Sequence, residues 1–87
     1  MEELRELLQQ YNVEITYDQE QPMLFSPKKM IHYIYFKYKN VEYVISWTCK
    51  SIMFSKGKYT LYFGNKNQTL FKVIKEELGE PDGKNHN

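Results

Sequence analysis

Leu4, Leu7, Leu8 and Tyr11 fall at i, i+3, i+4 and i+7, the spacing that lines one face of an α-helix running from Glu2 to Tyr11. The early glutamates suit the positive end of that helix's dipole. Asn12 ends the pattern, and Val13-Glu14-Ile15-Thr16-Tyr17 alternates apolar with polar, as a half-buried strand does. From Asp18 to Pro27, two prolines and several polar residues surround Met23-Leu24-Phe25. That stretch reads as a loop whose apolar middle tucks against the core.

Ile31 to Thr48 carries the clearest pattern. A tight turn at Lys39-Asn40 sets Tyr38 against Val41, and then Phe36 against Tyr43, Ile34 against Ile45 and His32 against Trp47, all on one face. On the other face Lys37 meets Glu42, Tyr35 meets Val44 and Tyr33 meets Ser46. One register thus sorts both faces and pairs the segment's only acid with a lysine. The turn has Asn but no Gly, which leaves its type open. Beyond Trp47 the alternation changes phase, since Ile52 and Phe54 take the opposite parity, and a bulge or break near Cys49-Lys50 accounts for it.

Ser55-Lys56-Gly57-Lys58 is a turn, and Tyr59 to Phe63 returns as a strand. Asn67 or Thr69 is placed to cap a last helix with Leu70, Phe71, Ile74 and Leu78 on its apolar face, ended by Gly79 and Pro81. The sum is an α+β fold in two layers: an antiparallel three- to four-stranded sheet, with an N-terminal and a C-terminal helix on one face. Residues 1–79 form the single domain, and 80–87 a disordered tail. A chain of 87 residues has no room for a second core.

Composition changes the picture in two ways. Cys49 is the only cysteine, so no internal disulfide is possible. Acidic residues stand where a signal peptide carries positive charge, and no apolar run approaches a membrane span, which together point to the cytoplasm, a bacterial host's if the chain is phage-encoded. Charge is segregated behind a net +1: residues 28–75 hold ten lysines against Glu42, a balance of +9. Residues 1–27 balance at −5 and residues 76–87 at −3. Such asymmetry speaks of partners rather than of fold.

Catalytic chemistry finds little to work with, and the expectation is a binding protein and not an enzyme. His86 lies in the tail, and His32, opposite Trp47, suits a packed or rim position better than a general base. The only aspartates, Asp18 and Asp82, fall in expected loops. Four scattered glycines make no phosphate loop, and one cysteine with one credible histidine makes no metal site. No cofactor is implied.

The constellation that remains is basic and aromatic. Tyr33, Tyr35 and Lys37 alternate onto the open face of the central strand. Lys50, Lys56 and Lys58 are expected to cluster near the second hairpin, with Lys28 and Lys29 preceding the strand. Ammonium groups neutralise phosphates and tyrosine rings stack on unpaired bases, so the partner expected is a nucleic acid or nucleoprotein. Lysine and tyrosine are also ordinary residues for a solvated sheet face, where edge lysines block aggregation. A structural subunit of a larger assembly is a third possibility.

Lys56-Gly57-Lys58-Tyr59-Thr60-Leu61-Tyr62-Phe63 is similar to the octamer of the RNA-recognition motif, but Lys58 and Thr60 stand where that family places its stacking aromatics, and the order of elements differs. The helix–strands–helix order is similar to that of the double-stranded-RNA-binding domain at the level of fold alone. The chain length, an acidic amphipathic first helix and the hairpin Asn40-Val41-Glu42-Tyr43-Val44-Ile45-Ser46 resemble the small phage-encoded anti-CRISPR-type inhibitors of RNA-guided nucleases. The resemblance implies a protein that docks on and blocks a host defence or DNA-processing protein, through the same sheet face or the first helix, with a homodimer as one possible form. It transfers no interface residues, and the basic middle of this chain does not match the acidic DNA mimicry known in that group.

Overall fold

A computed structural model describes residues 1–80; the histidine and most of the tail expected at the C-terminus lie outside the described residues. Helix α1 (Glu2–Gln10) leads into β1 (Glu14–Met23), β2 (Ser26–Tyr38), β3 (Val41–Trp47), β4 (Ile52–Lys56), β5 (Tyr59–Gly64) and helix α2 (Asn67–Leu78). The strands form one antiparallel meander in the order β1-β2-β3-β4-β5. Both helices lie on one face of it, so the fold is a two-layer α+β sandwich with five strands rather than three or four.

The core follows from strand parity. Ile34, Phe36, Ile45 and Phe54 point at the helices and meet Leu4 and Leu8 of α1 and Leu70 and Ile74 of α2; all eight are sealed from solvent. Phe36, Tyr43 and Phe54 stack across three neighbouring strands, with ring centroids 5.1–6.5 Å apart. The β2–β3 hairpin has the register its two-sided pattern demands, from Tyr38↔Val41 to His32↔Trp47. Lys39 and Asn40 both take positive φ, 52° and 67°, which makes the turn type I′, the form whose twist matches the strands it joins.

β1 starts where the Val13–Tyr17 strand was expected and runs six residues further. Asp18 to Met23 is not a loop: these residues continue β1 and pair with Met30 to Ile34 and with Ser26. Lys28 and Lys29 consequently lie within β2 and not ahead of it. Met23-Leu24-Phe25 does not tuck inward either. Leu24 and Phe25 form the hairpin tip and are 84% and 92% exposed.

Because β2 has 13 residues and β3 only 7, with His32 facing Trp47 at the last pair, residues 26–31 extend past β3; Ile31, Met30 and Ser26 pair with Gln21, Pro22 and Met23 of β1, and residues 27–29 bulge out between the last two pairs. At ~3.3 Å per residue the three β1 residues Gln21, Pro22 and Met23 make a two-stranded arm about 10 Å long. The phase change after Trp47 is a turn through Thr48–Ser51. There the Thr48 hydroxyl accepts from the N–H groups of Lys50 (3.1 Å) and Ser51 (3.2 Å).

Candidate functional site

The sheet has one covered and one uncovered face, and the uncovered face carries Tyr17, Tyr33 and Tyr35. The Tyr35 ring lies 5.2 Å from that of Tyr17 and 6.1 Å, edge-on, from that of Tyr33. Beside them the register places Val44 opposite Tyr35, and Met53 and Phe63 along the row that starts at Tyr33 and Ser46. Phe63 is 69% exposed, and Met53 is also exposed. The centre of this face is therefore aromatic and apolar. Lys37 sits at its end between Glu14 on β1 and Glu42 on β3, its register partners on either side. Opposite-charge neighbours across strands attract, so Lys37 adds little net field.

The lysines expected to cluster do not all do so. Lys50, in the β3–β4 turn, stands at the opposite end of β4 from Lys56 and Lys58. Lys56 shares the parity of Ile52 and Phe54, so its side chain lies on the helix side. Its Nζ is 3.1 Å from Glu77 Oε2 on α2, and that same oxygen accepts from the Tyr43 hydroxyl at 2.9 Å. Burial and the neighbouring Glu77 push the Tyr43 hydroxyl up to about 12. Lys56 is therefore a structural cation and does not belong to the uncovered face. Lys58 occupies the β4–β5 turn beside Gly57, whose φ of 59° the turn requires.

What the fold does bring together is Lys28, Lys29 and Lys50. With Glu20, Met23, Met30 and the segment Trp47–Ser51 they line a cleft of about 640 Å³ in the angle between the arm and the β3–β4 turn. All three lysines are exposed, and none forms an ion pair with a described residue.

Behind Trp47 runs a chain of contacts that the sequence reading missed, because it placed Asp18 in a loop. The Trp47 indole stacks on the His32 imidazole, with centroids 4.5 Å and planes 9° apart. His32 Nε2 lies 2.6 Å from Asp18 Oδ1, and Asp18 accepts from Arg5 Nε at 3.0 Å and Nη2 at 2.9 Å. An ionised carboxylate only accepts, so the imidazole proton at Nε2 points to Asp18. The 3.3 Å approach of Arg5 Nη2 to the same nitrogen is then a close contact and not a hydrogen bond. Arg5, chiefly through its hydrogen bonds, holds the Asp18 carboxyl down at about 2. The four side chains come from α1, β1, β2 and β3 in turn, and they fix the indole that forms one wall of the cleft.

Among the described residues no group of three His, Cys, Asp or Glu side chains is placed to hold a metal, and no helix is long and apolar enough to cross a membrane. No protein-family model, curated protein or solved structure matches the chain.

Proposed function

We propose that this is a non-enzymatic binding protein that engages a nucleic acid or nucleoprotein. The observation that carries the reading is the convergence of Lys28, Lys29 and Lys50, without ion-pair partners among the described residues, in a cleft on the helix side of a sheet whose opposite, uncovered face presents three clustered tyrosines. Unpaired ammonium groups displace counterions from phosphates, and exposed rings stack on unpaired bases. Lys58 extends the basic surface at the far end, while Lys37 and Lys56 face carboxylates and contribute less.

The test is a salt titration of affinity for a short single-stranded oligonucleotide. Three phosphate contacts give a slope of about −2 in log K against log salt. Lys28→Glu with Lys29→Glu should flatten that slope. Tyr33→Ala with Tyr35→Ala should weaken binding while leaving the slope in place. An affinity indifferent to salt, or no binding at micromolar protein, overturns the reading.

A second reading is favoured by Val44, Met53 and Phe63, which give the uncovered face an apolar strip. Such a strip suits docking on a protein, and the resemblance to phage-encoded inhibitors supplies the kind of target, a host defence or DNA-processing protein. Under this reading Val44→Asp with Phe63→Asp abolishes capture of one stoichiometric host protein from nuclease-treated bacterial lysate. Capture that survives both substitutions counts against it.

A further inference from the structure

We infer that the cleft between the arm and the β3–β4 turn binds a phosphorylated nucleoside, with the base against Trp47 and the phosphate held by Lys28, Lys29 and Lys50. The inference rests on the nucleic-acid reading and narrows it to one nucleotide unit in one place. The cleft, at about 640 Å³, falls in the range of small-ligand sites. Its composition is that of such a site: an apolar surface from Trp47, Met23 and Met30, with a few charged groups at the margin.

Two features favour a nucleoside phosphate over other anions. The first is the support given to Trp47. Stacking on His32, itself anchored by Asp18 and Arg5, holds the indole in one orientation, so a flat ring meets a surface already ordered. The turn that carries Lys50 is fixed in the same way by the Thr48 hydroxyl. The second feature is Glu20, the one acid among the lining residues. A carboxylate repels a bare phosphate but accepts hydrogen bonds from ribose hydroxyls or an exocyclic amine, groups that a simple aryl phosphate lacks.

The cleft lies on the helix side of the sheet, since Glu20 pairs with His32 and Met30 with Pro22 at helix-side positions. The tyrosine face lies on the other side, so the two can be altered separately. A free nucleotide and one unit of a strand share the chemistry that the cleft would recognise.

Trp47 is the only tryptophan and Cys49, exposed in the same cleft, the only cysteine; each is a reporter without competition. Adenosine monophosphate should quench Trp47 fluorescence saturably and slow alkylation of Cys49 by iodoacetamide. Adenosine and phenyl phosphate should bind about tenfold more weakly, and Lys29→Glu or Lys50→Glu should cost about tenfold in affinity. Displacement of the mononucleotide by a short oligonucleotide supports a strand as the source, and mononucleotide binding that an oligonucleotide does not displace supports a free nucleotide. Phenyl phosphate binding as tightly as adenosine monophosphate overturns the assignment. If an oligonucleotide binds with steep salt dependence yet neither reporter responds, the inference fails while the broader reading stands. If neither oligonucleotide nor mononucleotide binds, both fail.

Discussion

Asp18 receives both Nε and Nη2 of Arg5, at 3.0 and 2.9 Å, and so ties the first helix to the edge strand of the sheet. The carboxylate is held ionised down to about 2, first by those hydrogen bonds and then by His32. A carboxyl whose folded-state value is depressed contributes stability that is complete above its unfolded value, near 4, and is lost as pH falls through about 2. With both side chains about 30% exposed, that contribution is on the order of 1–2 kcal/mol. Chemical denaturation of the protein at pH 7, 4 and 2.5 should show the loss below pH 4. Asp18→Asn should be less stable than the parent at pH 7 and should lack this acid-dependent step. An Asp18→Asn variant with the parent's full pH dependence between 4 and 2 would show that the carboxylate is not the group responsible.

The Tyr43 hydroxyl and Lys56 meet on one carboxylate oxygen of Glu77, and that shared contact yields an alkaline counterpart. Tyr43 is raised to about 12, so its contribution is complete below about 10 and is lost as pH rises through 12. Tyr11 is raised as well, mainly by burial, and shares the alkaline step. Tyr43→Phe should cost about 1 kcal/mol at pH 8, the typical net worth of one hydrogen bond, and should diminish the loss between about pH 10 and 12 without abolishing it. Lys56→Gln should lower stability by at most about 1 kcal/mol, since Lys56 is substantially exposed. It should leave oligonucleotide affinity unchanged, whereas Lys58→Glu should do the reverse. A large affinity loss in Lys56→Gln would return Lys56 to the binding surface.

These contrasts mark how far the sequence could be read. The β2–β3 register was legible because both faces had to be sorted at once: core residues on one, tyrosines and the Lys37/Glu42 pair on the other. The outer half of β1 was not, for a physical reason. Asp18, Gln19, Glu20 and Gln21 are all polar, because Asp18 meets Arg5 of α1 through hydrogen bonds and the next three residues are exposed, so the strand has no apolar alternation to show. Missing that outer half hid Asp18, and with it the support behind His32 and Trp47. For Lys56 the signal was present: the parity of Ile52 and Phe54 already assigned it to the helix face. Its partner Glu77 lies on a helix whose placement over the sheet no local pattern reports. Lys28, Lys29 and Lys50 were singled out for their charge, but their meeting in one cleft depends on the overhanging arm and could not be read from spacing.

The exposed tip makes a stability prediction that separates it from the core. Leu24 and Phe25 contact little, so Leu24→Ser with Phe25→Ser should change unfolding free energy by no more than about 0.5 kcal/mol. Phe54, fully buried and stacked between Phe36 and Tyr43, should cost about 3–5 kcal/mol when cut to alanine. Denaturant midpoints for the two variants give the comparison directly. A marked destabilisation from the tip substitutions would mean that the apolar segment packs inward after all.

The β2–β3 turn is where the chain departs from the residues its geometry prefers. Type I′ needs positive φ at both central positions, and at the second of these, where Asn40 sits at 67°, glycine is the most favoured residue. Asn tolerates the left-handed region better than most side chains, which is why the hairpin closes without glycine. Glycine at 40 would remove the residual steric cost in the folded state while adding freedom to the unfolded chain, and these effects oppose each other. In a two-residue I′ loop the folded-state preference should prevail, so Asn40→Gly is expected to stabilise by about 0.5 kcal/mol. Asn40→Val should destabilise by at least about 1 kcal/mol, because a β-branched residue fits positive φ poorly. Urea denaturation of the parent and the two variants would settle the order, and an Asn40→Val protein as stable as the parent would exclude a type I′ turn here.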